Sequence, residues 1–219
     1  MIFLFDIDGT LISAHGAGRR AFAHALRVEL GLEGALDAVQ LDGKTDPMIL
    51  DEALAAAGRA PAALDERERV FRAYLAQLPA ELERTPFRVL PGVERALDRL
   101  EGAGAIVGLA TGNVEDGARH KLTRGGLWHR FAFGGYGSDA HARAELVRVA
   151  MARGRARVAR TIADADVWVL GDTPRDVHAA HAAGARAVGI ATGAYDAAAL
   201  RAAGAEVVVQ TLDEWTAPV

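Results

Sequence analysis

The chain has 219 residues and a formal net charge of -4, enough for one large or two modest domains with a sizeable core. The mild acidity excludes the electrostatic footprint of nucleic-acid or anionic-membrane binding. The absence of Cys excludes disulfides, thiolate metal sites and a Cys nucleophile.

The first element is the apolar run Ile2-Phe3-Leu4-Phe5, whose aromatic and β-branched content suits a strand buried on both faces. It runs into Asp6-Ile7-Asp8-Gly9-Thr10. Residues two apart on a strand point the same way, so Asp6 and Asp8 share a side at the tip of a core strand. Turn chemistry accounts for Gly9. It does not account for Asp6, which still lies inside the apolar run. A buried carboxylate pair is costly unless something positive sits beside it, and a hard divalent cation removes the conflict.

Ser13 to Gly18 reads as a linker, and a helix is predicted over 19–30, with Phe22, Leu26 and Leu30 on one face and Gly31 ending it. Gly43-Lys44-Thr45-Asp46-Pro47 is a loop feeding a second helix, with Asp46 expected as N-cap and Pro47 as the first helical residue. A third helix is predicted from about Ala62 to Leu78. Residues 14–85 contain no convincing strand and form an all-helical insert after the first strand. Residues 1–13 and 86–219 form the remainder.

That remainder alternates. A helix over 93–101 precedes a strand over 105–110, which leads into Thr111-Gly112-Asn113. A helix to about Arg124 and a short strand, Phe131-Ala132-Phe133, come next. A helix over 142–153 precedes a strand over 166–170, which enters Gly171-Asp172-Thr173-Pro174-Arg175-Asp176. A helix over 174–183, a strand over 187–190, a helix over 197–203 and a strand over 206–209 complete the chain. The fold class is α/β, a parallel sheet with helices on both faces. No apolar run reaches membrane-spanning length, and the opening residues lack a basic segment and cleavage site, so a cytoplasmic protein is expected.

In such sheets ligands bind beyond the carboxyl ends of the strands. Asp6 and Asp8, Thr111, and Asp172 with Asp176 all fall there. Mg²⁺ takes one or two carboxylates plus substrate phosphate. Asp6 and Asp172 can supply the carboxylates and the Asp8 backbone carbonyl a third ligand. Asp176, one turn on from Asp172, orients a cation or compensates the helix dipole. An aspartate beside a phosphoryl group can act as nucleophile while a second acid protonates the leaving oxygen, work that Asp6 and Asp8 can divide. The Thr111 hydroxyl and the Gly112 and Asn113 amides can surround the transferred group. Lys44 and Thr45 are candidate substrate-reading residues of the insert. His15 and His24 read as surface histidines.

Asp-Ile-Asp-Gly-Thr, Ala-Thr-Gly-Asn and Gly-Asp-Thr-Pro-Arg-Asp, each after a buried strand and in this order, resemble the haloacid dehalogenase (HAD) superfamily, more narrowly its phosphoglycolate phosphatase-like branch. The resemblance implies a Rossmann-like core, an inserted helical cap over 14–85 and a Mg²⁺-dependent aspartyl-phosphate mechanism acting on a small phosphorylated metabolite. It makes Asp6 the nucleophile, Asp8 the general acid/base, Thr111 a phosphate ligand and Asp172 a metal ligand. The family's usual lysine ahead of the last motif is absent, because the only lysines are Lys44 and Lys121. Arg143 lies at the expected place and is expected to substitute, with Lys121 the competitor. A phosphomutase of the same superfamily and a non-enzymatic phosphate-binding protein are the alternative functions. A monomer or homodimer is expected.

Overall fold

The computed structural model describes residues 1–218. Strands β1 (Ile2–Phe5), β4 (Ile106–Ala110), β5 (Gly134–Gly135), β6 (Val167–Gly171), β7 (Arg186–Ile190) and β8 (Val207–Val209) form one parallel sheet in the order β5-β4-β1-β6-β7-β8. Strand β1 is central, with Phe3 in register with Val107 on one side and Trp168 on the other. The chain builds outward from β1 to β5, then returns to build β6 to β8 on the opposite side. The carboxyl end of β1 is therefore the topological switch, where open α/β sheets bind ligands.

Alternation along β1 divides the core. Phe3 and Phe5 pack on one face, edge-on against Trp215 and Phe131. Ile2 and Leu4 pack on the other, against Leu146 and Val147 of α6 (Arg143–Arg155) and Val177 and Ala180 of α7 (Pro174–Ala182). Continuing the period brings Asp6 to the α6–α7 side. All four β1 side chains are fully buried. Leu4→Ala is expected to cost about 2–5 kcal/mol of stability through the lost apolar contacts and the cavity left behind, measured as a lower urea midpoint.

Three helices, α1 (Ala17–Leu30), α2 (Asp46–Ala56) and α3 (Leu64–Arg84), lie in the chain between β2 (Ile12–Ser13) and β3 (Arg88–Val89). Strands β2 and β3 pair antiparallel where the chain leaves and re-enters the sheet unit, Ile12 opposite Val89. Strands this short carry no readable alternation. Helix α3 continues past Pro79, six residues beyond the predicted end. Its Val70, Tyr74, Leu78 and Leu82 are buried at four-residue spacing, and α1 supplies the matching face, with Phe22 edge-on to Tyr74 at 5.2 Å. Packing on both sides of the proline outweighs its single missing N–H.

Two local expectations are corrected. The N-cap of α2 is Thr45, not Asp46: the Thr45 hydroxyl accepts from the Met48 amide, while the Asp46 carboxylate accepts from the Val114 amide in a neighbouring loop. The strand expected at Phe131–Phe133 is instead Gly134–Gly135. A Cβ on Gly135 would stand 1.9 Å from the Leu146 carbonyl, so only a residue without a side chain fits between β4 and α6. The remaining helices are α4 (Val93–Gly102), α5 (Glu115–Arg124) and α8 (Ala197–Ala202).

Candidate active site

Four loops at the carboxyl edge of the sheet meet at Asp6. It follows β1 directly, its amide held by the Leu170 carbonyl at 2.9 Å, and its side chain is almost fully buried. Asp172 follows β6. Gly9 and Gly193 flank its carboxylate so closely that a Cβ at either position would lie 2.3 Å and 1.7 Å from Oδ2. Gly9 also has φ +80°, a conformation that favours glycine. Asp176 sits in the first turn of α7, where it and Thr173 cap the helix reciprocally: Thr173 N and Oγ1 donate to Asp176 Oδ2 at 3.0 and 2.7 Å, and Asp176 N donates to Thr173 Oγ1.

Carboxylate oxygens of Asp6, Asp172 and Asp176 lie within 4.8 Å of one another. Three buried acids in that space repel. Burial, offset in part by Arg143 and aggravated by Asp176 and Asp8, pushes the Asp6 carboxyl up to about 6. Burial and the neighbouring Asp176 and Asp6 raise Asp172 well above the usual carboxylate range. An all-oxygen, strongly acidic, desolvated donor set is what a hard divalent cation requires. Asp8 is not part of this cluster: its carboxylate turns away and is half exposed.

Arg143 supplies the fixed positive charge. It opens α6, and its Nη2 lies 2.9 Å from Asp6 Oδ1 and 2.5 Å from Asp176 Oδ1. Both contacts are angled as ion pairs rather than aligned hydrogen bonds. Nη1 donates to the Gly43 carbonyl at 3.2 Å, so one guanidinium joins the acid cluster to the loop ahead of α2. Burial opposes its charge, but Asp176 and Asp6 outweigh this and hold it firmly protonated.

Lys121 of α5 forms a second, separate centre. Its Nζ donates to Asp8 Oδ2 and to Asn113 Oδ1, both at 2.6 Å. Asn113 Nδ2 donates to Asp8 Oδ2 and to Thr111 Oγ1, both at 2.9 Å. The two cations thus divide the two acids of the first motif: Arg143 reaches Asp6 and Lys121 reaches Asp8. Lys121 is buried, unlike a solvated helix lysine. Thr111 is also buried, and its amide donates to the Gly135 carbonyl at 3.0 Å. Gly112 touches the insert, since a Cβ there would meet the Lys44 carbonyl at 2.1 Å.

Asp6, Asp8, Gly112, Asn113, Lys121, Arg143 and Asp172 all line one cavity of about 480 Å³. Its far wall comes from the insert, including Lys44, Asp46 and Tyr74. Lys44 pairs with Glu52. The Thr45 hydroxyl is fully committed, donating to the His141 carbonyl at 2.9 Å and capping α2, and Thr45 does not line the cavity. Sequence reading did not find Tyr74, which looks like one more apolar-face residue of α3. His15 is exposed, as expected of a surface histidine, and also lines the cavity, with φ 44°. The only signals available were the glycines around it, Gly16 and Gly18, at a helix start.

Comparison with known proteins bears on the family and the fold. Residues 3–190 match the family described as haloacid dehalogenase-like hydrolase. The probable phosphatase IndB of Dickeya dadantii (strain 3937) is 31% identical over 221 residues, spanning 97% of this chain and 90% of IndB. A hydrolase from Pseudomonas syringae superposes with a TM-score of 0.76 at 22% identity, over 96% of this chain and 93% of that one. A mutant of CbbY from Rhodobacter sphaeroides, solved with xylulose-(1,5)bisphosphate, superposes with a TM-score of 0.77 at 20% identity, over 97% and 95%. Among the described residues no helix is long and apolar enough to cross a membrane.

Proposed function

Since the chain belongs to the haloacid dehalogenase-like hydrolases, we propose that it is a Mg²⁺-dependent phosphatase that hydrolyses a small phosphomonoester through an aspartyl-phosphate on Asp6. The observation that carries this reading is the position of Asp6: a buried carboxylate between Arg143 and Asp172 that opens onto the cavity.

In the first half-reaction an Asp6 oxygen attacks phosphorus, the Asp6–phosphoryl bond forms and the bond to the leaving oxygen breaks. Asp8 delivers a proton to that oxygen. In the second, Asp8 takes a proton from water, the water oxygen attacks phosphorus, and inorganic phosphate leaves Asp6. Arg143 neutralises charge on Asp6 and the equatorial phosphoryl oxygens, while the Thr111 hydroxyl and the backbone at Gly112 and Asn113 surround the rest. Asp176 anchors Arg143. The carboxylates of Asp6 and Asp172 and the backbone carbonyl of Asp8 would hold Mg²⁺, which supplies charge neutralisation and orientation of the phosphoryl group. Residues 14–85 act as a cap that closes over substrate and excludes water; the bond from Arg143 to Gly43 and that from the Asp46 amide to the Gly112 carbonyl at 2.8 Å join this insert to the rest of the chain.

The test is phosphate release from a panel of small phosphoesters with and without Mg²⁺. Release from at least one ester, abolished by a chelator and restored by Mg²⁺, is the expected result. Isomerisation of a sugar phosphate without release would favour the phosphomutase reading. A pH dependence follows from the raised carboxyls. Protons on Asp6, titrating near 6, and on Asp172 compete with the cation. Mg²⁺ binding is therefore expected to release protons and to weaken as pH falls through 6, read by calorimetry in buffers of different ionisation enthalpy.

A further inference from the structure

Two donors at the cavity wall retain unused hydrogen-bonding capacity. Tyr74 is 2% exposed and lines the cavity. Its hydroxyl has no hydrogen-bond partner among the described residues, yet it is not sealed away from the cavity. Burial and the nearby Asp46 and Asp8 hold its pKa well above the usual phenol value, so it remains an O–H donor. Lys121 spends two N–H groups on Asp8 and Asn113, and an ammonium has a third. The two donors flank one point: a Cβ on Gly18 would stand 3.3 Å from Lys121 Nζ and 3.8 Å from the Tyr74 hydroxyl. Gly18 lies in the first turn of α1 without a positive φ. Its backbone therefore does not demand glycine, and glycine in a helix is costly relative to alanine. A side chain there would enter the space beside the two donors.

We propose that Tyr74 and Lys121 form a leaving-group subsite, which selects phosphomonoesters bearing a second oxygen, carboxylate or hydroxyl, on the carbon beside the ester carbon. The inference rests on Asp8 acting as the acid that protonates the leaving oxygen. Lys121 is hydrogen-bonded to that same carboxylate at 2.6 Å, so the free donors lie a short reach beyond the leaving oxygen. A leaving group carrying an acceptor there satisfies both donors. A plain alkyl group leaves the Tyr74 hydroxyl and the third Lys121 N–H without an acceptor, which polar sites penalise.

The test compares three two-carbon esters: 2-phosphoglycolate, 2-hydroxyethyl phosphate and ethyl phosphate. The wild-type enzyme is expected to prefer at least one oxygenated ester over ethyl phosphate by about tenfold or more in kcat/KM. The carboxylate ester leading identifies an anionic acceptor, and the hydroxyl ester leading a neutral one. Tyr74→Phe keeps the ring packed on Phe22 and removes only the hydroxyl. It is expected to shrink that preference about tenfold, mainly by raising KM for the oxygenated ester. An unchanged preference in Tyr74→Phe, or none in the wild type, overturns the subsite while leaving the phosphatase reading intact. Failure of the wild type on all three esters while another ester of the wider panel is hydrolysed overturns the subsite alone, and failure on the wider panel as well overturns both.

Discussion

Asp6→Asn is expected to reduce phosphate release by roughly 10⁴- to 10⁶-fold, the scale of removing a covalent nucleophile, with the fold intact. The substitution is isosteric and touches no apolar contact of β1. It removes a carboxylate whose burial already works against its charge. It also costs Arg143 one of two anionic partners, but Asp176 remains at 2.5 Å. These effects oppose one another, so the melting temperature should shift little while turnover disappears. A variant that retains a tenth of wild-type activity would mean that the phosphoryl group never resides on Asp6.

Arg143→Ala combines a catalytic and a structural loss. Removing a preorganised cation from a developing oxyanion costs about 10²- to 10³-fold in turnover. The substitution also leaves Asp6, Asp172 and Asp176 buried together with no side-chain cation among them. Breaking a buried pair in this way costs about 3–5 kcal/mol. The sign of the pH dependence follows. Arg143 lowers the raised carboxyls of Asp6 and Asp172, so without it both rise further above their unfolded values and the folded state takes up protons more readily than the unfolded one. The deficit is then largest at neutral and alkaline pH and shrinks as pH falls toward the unfolded carboxyl range. Denaturant melts of the metal-free variant between pH 8 and pH 5, compared with wild type, measure it. Arg143→Lys restores the charge but not the second contact to Gly43, and should recover part of the turnover. Near-normal turnover in Arg143→Ala would transfer the role to Lys121, whose pairing with Asp8 instead points to work on the leaving-group side.

The parts of this molecule that were legible in its sequence are those where one local rule and the tertiary structure agree. Ile2 to Phe5 is apolar on both faces because β1 is covered on both faces. Gly31 ends α1 in a left-handed conformation, as its lack of a side chain allows. Asp6 stands out because turn chemistry does not explain an acid inside an apolar run, and Asp172 because it follows a second buried strand; Asp176 alone is equally readable as compensation of the helix dipole. What was not legible depends on partners far away in the chain. Asp46 resembles a cap, but the Val114 amide takes its carboxylate, leaving Thr45 to cap α2. Pro79 resembles a helix end, but α1 holds both flanks of α3. Phe131 to Phe133 has strand composition, yet pairing falls on two glycines, of which Gly135 lies against α6 and Gly134 against Tyr136 and Leu109. Lys121 and Tyr74 gain their significance only from the fold, which brings α3 and α5 together across Gly18.

The most direct test of the account is to trap the covalent intermediate. The enzyme would be mixed with a turned-over phosphoester and Mg²⁺, quenched in acid during steady state, reduced with borohydride, which converts an acyl phosphate to the alcohol, and mapped by peptide mass spectrometry. The account predicts homoserine in place of Asp6 in samples that contained substrate, and unmodified Asp6 in those that did not. Reduction at a different residue, or an intact Asp6 in samples quenched during a pre-steady-state burst of leaving-group release, would contradict it.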